Sequence, residues 1–289
     1  MSLSLKLNYL FQSISNYFQP AECPYCGGNE YTIIDRKYIF TMLAECRSCH
    51  LRFRLPRDPP NNNEYFYNSH YKQEDGITTD LPDTEELDRL IATKFSFTNK
   101  NIRIATQIFE SLSGSISGKS LLDYGCSWGY MTWQFNDIGI KAIGYEIGKK
   151  RVAFGRERLG VEIITDKEFL PGNLDFIFSS HLIEHLDDIH EFVEISLEKL
   201  KKDGFLVIVC PNGSADLQQA VPEVFHRFWG KVHPNLINDK FYMNIFGSYP
   251  FYIESSSYNF GEIRNWDQKS QKVRLNGGDE LLCIVKKVD

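Results

Sequence analysis

A chain of 289 residues with 42% hydrophobic content can fill one large core and a small accessory module. Its formal net charge of −6 weighs against a protein whose main task is gripping a nucleic-acid backbone, since that grip depends on lysine and arginine neutralising phosphates. No apolar run approaches the ~18 residues that span a bilayer, and residues 1–19 carry one lysine, no continuous apolar core and no small-residue cleavage site, so a cytoplasmic protein is expected.

Leu3, Leu7, Leu10, Phe11, Ile14 and Phe18 recur at helical spacing, which predicts an amphipathic helix over 1–20, ended by Pro20 and docked on its own protein. Cys23-Pro-Tyr-Cys26 and Cys46-Arg-Ser-Cys49 follow, two C-x-x-C pairs separated by 19 residues with a strand-like Tyr31–Phe40 between them. Each pair suits a tight knuckle, and two converging knuckles present four thiolates in the tetrahedral arrangement of a structural zinc ribbon, expected over 21–58. With four protein ligands there is no open position for a substrate. Cys126, Cys210 and Cys283 are scattered, and read as small buried hydrophobes rather than a disulfide framework.

Arg47, Arg52, Arg54 and Arg57 give the ribbon's exit a basic character, either a solvated edge or a contact for a phosphate-bearing substrate. Prolines and three consecutive asparagines then mark a linker, and Tyr65, Phe66, Tyr67 and Tyr71 form an aromatic stretch suited to a lid or an interdomain joint. Asp83 and Glu86 have capping-box spacing for a helix running to about Phe95. Ile102, Ala105, Ile108, Phe109 and Leu112 predict a second helix. The segment 59–100 therefore reads as linker and cap helices, and 101–289 as the main domain.

Leu121-Leu122 enter the turn Asp123-Tyr-Gly125-Cys126-Ser127-Trp-Gly129, a helix-like segment follows, and a second apolar run ends on Glu146. This is strand, glycine loop, helix, strand, acid, the order of a nucleotide-binding α/β unit in which the acid meets a ribose. Ser127 stands where a dinucleotide fingerprint has its second glycine, so the loop suits a ligand without a pyrophosphate. The motif resembles that of the class I S-adenosylmethionine (SAM) methyltransferases. Further strands at Val161–Thr165, Leu174–Ser180 and Phe205–Cys210 alternate with helices, and Phe251–Ser257 with Glu280–Lys287 resemble the antiparallel closing pair of that family. The resemblance implies a doubly wound, seven-stranded α/β sheet. It places SAM against Asp123, Gly125, Cys126, Gly129, Glu146, Ile147, Asp166, Ser180 and His181, with the region before the first sheet strand closing over the cofactor.

His181-x-x-Glu184-His185 also fits the helix of an inverted zinc peptidase, but His181 falls at a strand end, where the two histidines would not face one another. The stretch Val224–Asn235 lies where the methyltransferases build their acceptor pocket, which makes His233 the first candidate for a catalytic base, His181 the second and His226 a further substrate contact. An N-terminal four-cysteine ribbon on this domain resembles bacterial sugar C-methyltransferases and polysaccharide-cluster enzymes, implying a small acceptor such as a sugar or nucleotide sugar. The rivals are an RNA methyltransferase that docks RNA through the ribbon and a non-catalytic interaction protein.

Overall fold

The computed structural model describes residues 21–37, 40–57 and 80–288. The expected N-terminal helix and the aromatic stretch 65–71 lie outside them. Three strands make the ribbon, β1 (Tyr31–Lys37), β2 (Thr41–Cys46) and β3 (Arg52–Leu55), each antiparallel to the next. Helix α1 (Thr84–Ala92) follows, with Asp83 accepting from the Glu86 N–H at 2.9 Å as the capping spacing predicts, although the helix stops short of Phe95.

The main sheet is formed by β4 (Ser120–Tyr124), β5 (Lys141–Tyr145), β6 (Ile163–Ile164), β7 (Leu174–Ser180), β8 (Leu200–Pro211), and, beyond a short β9 (Asn235–Leu236), β10 (Phe251–Ser255), β11 (Gln271–Arg274) and β12 (Glu280–Lys286). Its order is β11-β10-β12-β8-β7-β4-β5-β6. Strands β4 to β8 run parallel, and β12 is antiparallel to both β8 and β10. The seven expected strands are all present. The eighth, β11, pairs in parallel with β10, and it lies with a short helix in the connection between β10 and β12.

A parallel sheet covered on both faces needs apolar residues at successive positions, and the central strands supply them. Leu121, Phe176, Phe178 and Val207 face α2 (Arg103–Ser113) and α3 (Tyr130–Asp137), while Leu122, Ile177, Leu206 and Ile208 face a layer containing Phe192 and Val193 of α4 (Ile189–Lys199). The Phe109 ring of α2 lies 4.7 Å from that of Phe176. Helix α2 is thus a core layer, and the expectation that both early helices close over a cofactor fails for it. Helix α1 does approach the glycine loop, packing Leu87 and Leu90 beside Trp128.

The ribbon is not a separate body. Strand β3 pairs with β9, Arg52 opposite Leu236 and Phe53 opposite Asn235, and Cys23, Cys46, Cys49, Leu51 and Phe53 share a core cluster with Phe241 and Tyr242. The Arg52 guanidinium donates to Glu45 at 2.7 Å and to the Gly213 carbonyl at 2.6 Å. Arg52 and Arg54 are 5% and 2% exposed, so half of the expected basic face is interior structure and offers no docking surface for RNA.

Candidate active site

The loop after β4 turns on left-handed backbone, with φ of +87° at Gly125, +54° at Ser127 and +77° at Gly129. A Cβ on Gly125 would lie 2.8 Å from Leu182 Cδ2, and one on Gly129 would lie 2.7 Å from Val161 Cγ2, so both positions need glycine for conformation and for space. The Gly125 and Cys126 N–H groups both donate to the Tyr145 carbonyl, which ties the loop to the end of β5.

Glu146 follows directly. Its Oε2 accepts from the Ser127 N–H at 3.1 Å and its Oε1 from the Gly148 N–H at 2.6 Å. Two of about four lone-pair positions are thereby used, and the carboxylate is held rigidly with capacity left for ligand hydroxyls. The Ser127 hydroxyl beside it is buried without a hydrogen-bond partner. Asp123 lies deeper: burial pushes its carboxyl up to about 7, against the hydrogen bond donated by Thr132 Oγ1 at 2.8 Å. Asp166 caps the 3-10 turn Lys167–Phe169, accepting from the Glu168 N–H. Ile147 and Phe169 are large apolar side chains left 50% and 73% exposed beyond the ends of β5 and β6. Ile147 is an expected cofactor contact, whereas Phe169 is not marked by any sequence motif, since it stands three residues beyond Asp166 at the end of the 3-10 turn.

Ser180 ends β7 opposite Val209, and His181 follows with φ of +51°. His181 Nε2 lies 3.0 Å from Glu280 Oε1 and its Nδ1 lies 3.5 Å from Glu184 Oε1. Burial opposes its charge, but the two carboxylates outweigh that and raise the imidazole to about 10. A histidine already protonated at neutral pH cannot accept a proton, so His181 does not suit the role of base. His226 is also displaced from the expected role. Its Nδ1 pairs with Asp35 of β1 at 2.8 Å, and Trp229 Nε1 donates to the same carboxylate, so it serves the joint between ribbon and domain.

His233 does sit at the carboxyl edge, in company that the sequence did not suggest. Its ring is 4.7 Å from that of His185, edge to face. Both histidines place Nδ1 against a backbone carbonyl, His233 on Phe228 at 2.8 Å and His185 on Val232 at 2.7 Å. A carbonyl only accepts, so Nδ1 carries the proton in each ring and Nε2 carries the lone pair. Glu184 completes the group, fully buried, with Oε1 3.8 Å from His185 Nε2. Residues 183–185 form a single 3-10 turn with His181 outside it, which removes the helix that a peptidase would need. In the ribbon the four cysteines converge, with sulfurs 3.4 Å apart in the pair Cys23–Cys49 and 3.5 Å in Cys26–Cys46. Cys126, Cys210 and Cys283 are buried and free, as expected.

A family model described as a methyltransferase domain matches residues 97–255, from α2 through β10. The chain belongs to that family. Its sheet has the SAM-dependent methyltransferase fold, and the methyltransferase is similar in sequence to two ubiquinone biosynthesis O-methyltransferases. The mitochondrial one from Bos taurus is 26% identical over 38% of this chain, and the one from Paramagnetospirillum magneticum is 29% identical over 37%. Those alignments span 33% and 46% of the relatives' own lengths. Among solved structures, the plantazolicin methyltransferase BamL, in complex with a triazolic desmethylPZN analog and SAH, superposes with a TM-score of 0.50 at 13% identity, over 71% of this chain and 91% of that one. Among the described residues no helix is long and apolar enough to cross a membrane.

Proposed function

We propose that this methyltransferase binds SAM over the loop 123–129 and delivers its methyl group to a hydroxyl of a small, sugar-like acceptor, with a structural zinc held by Cys23, Cys26, Cys46 and Cys49. The observation that carries the reading is Glu146, a carboxylate pinned by two loop amides at the end of β5 with lone pairs left for a ribose. Gly125 and Gly129 shape the loop beneath the cofactor. Ile147 and Phe169 offer apolar surface to an adenine, and Asp166 a carboxylate to its polar edge. SAM, when bound, supplies an electrophilic methyl. The protein's own part is to align the acceptor and manage the proton of its hydroxyl.

The groups gathered at the ends of β7 and β12 support a hydroxyl-rich acceptor: His181, Glu184, His185, Tyr258, Glu280 and, nearby, His233. The relatives' description as O-methyltransferases supports oxygen as the accepting atom. For the ribbon, sulfurs bound to one tetrahedral zinc at ~2.3 Å lie about 3.8 Å apart, close to the cysteine pairs seen here.

Glu146→Ala removes charge-assisted hydrogen bonds of about 1.5–3 kcal/mol and frees the Ser127 and Gly148 amides, so SAM affinity measured by calorimetry should fall at least about tenfold. Unchanged affinity in folded protein would mean that the cofactor lies elsewhere. A screen of nucleotide sugars and free sugars with methyl-labelled SAM tests the acceptor class. Label transfer to other small molecules but to no sugar would discard the carbohydrate reading and leave the methyltransferase.

A further inference from the structure

We infer that Glu184, His185 and His233 form a second metal site, one for a divalent first-row transition ion at the edge where the acceptor binds. The three side chains offer one ligand atom each, all within 4.8 Å of one another. Two atoms that each bind an ion at ~2.1 Å can be no more than about 4.2 Å apart, so the 3.8 Å separation of Glu184 Oε1 and His185 Nε2 fits already. The wider separations close with side-chain adjustments of under about 1 Å.

Three further features favour an ion over a purely structural cluster. Glu184 is fully buried and neither of its carboxylate oxygens receives a hydrogen bond; the His181 imidazolium beside it is shared with Glu280, which it approaches more closely, so a nearer cation would offset more of the desolvation cost. The nearest basic nitrogens, on His181 and His185, stand off at 3.5 and 3.8 Å. Each histidine donates Nδ1–H to a backbone carbonyl, the outer-sphere contact that fixes a metal-binding imidazole with Nε2 as the ligand atom. The carbonyls that do this belong to Phe228 and Val232, in the segment that also carries His233, so the outer sphere is built into the chain as well as the ligands.

Two imidazoles and one carboxylate suit zinc, iron, cobalt or manganese better than magnesium or calcium, and three protein ligands leave positions open for outside oxygens. A hydroxyl-bearing acceptor could fill them, and a bound ion would lower the pKa of that hydroxyl. This placement of the acceptor rests on the proposed methyl transfer, whereas ion binding does not.

The test is a titration of the full chain with Mn(II), with the ribbon's own metal retained and SAM absent, followed by electron paramagnetic resonance of the free ion. Wild-type protein should bind about one Mn(II) per chain, and Glu184→Gln and His233→Ala should each weaken it by more than about tenfold. Glu146→Ala should bind Mn(II) like wild type, so a failure of the SAM reading would not be mistaken for a failure of this one. Circular dichroism checks each variant for folding. If the change at the buried Glu184 prevents folding, the partly exposed His233 variant decides. A wild-type chain that takes up Mn(II) only in weak, unsaturated fashion, or a folded His233→Ala chain with wild-type affinity, would overturn the inference.

Discussion

Replacing His233 by alanine is expected to lower turnover by roughly 10²–10⁴ while leaving SAM affinity near the wild-type value. The separation follows from position. His233 stands with Glu184 and His185, while the loop and acid proposed to hold SAM directly follow β4 and β5. Its ring orientation is set by the bond from Nδ1 to Phe228, so the Nε2 lone pair is directed without any ligand having to order it. His226→Ala is the informative control. That residue pairs with Asp35 on the ribbon, and its loss should reduce stability modestly with little effect on the chemical step. Near-normal turnover of folded His233→Ala would take the cluster out of the reaction altogether.

Removing the zinc proposed for the ribbon, or replacing Cys46 by serine, is expected to lower the thermal midpoint of the whole chain in one cooperative transition. Structural zinc contributes ~10–16 kcal/mol to small zinc peptides, and a third of that would shift the midpoint of a domain of this size by roughly 10 °C. The cooperativity follows from the shared core, in which Cys46, Cys49 and Phe53 pack in one cluster with Phe241 and Tyr242. Calorimetry showing two separate transitions, with the upper one unmoved by a chelator, would mean that the ribbon melts by itself.

The fold was legible where the signal is local. Leu121-Leu122, the glycines at 125 and 129 and the acid at 146 lie within one strand-turn-helix-strand unit, and the structure reproduces it. The paired cysteines were equally readable, because each knuckle is four residues long. Non-local pairings were not. Nothing in Arg52-Phe-Arg-Leu says that it will meet Asn235-Leu236, and the arginines looked like a surface because charge in a sequence carries no sign of burial. The strand β11 escaped for a related reason, since a four-residue edge strand with polar side chains has the composition of a loop. At the site, single histidines could be nominated from context. The grouping of Glu184 and His185 with His233 depends on how a connection of some length folds back, and only coordinates reveal it.

The junction between β3 and β9 gives the ribbon a mechanical hold on the proposed acceptor site. Pro234 accepts the Arg54 N–H at 2.8 Å, Asn235 lies opposite Phe53, and the Asn235 side chain donates to the Leu186 carbonyl at 2.7 Å. The residue next to His233 is therefore fastened to the cysteine module on one side, and the following one to the Glu184 turn on the other. Loosening the ribbon would let that clasp drift, so a chelator could silence the enzyme without removing any ion from the acceptor's vicinity. Time courses of inactivation and of reactivation by added zinc or manganese would then trace a slow reassembly in one case and a fast refilling in the other.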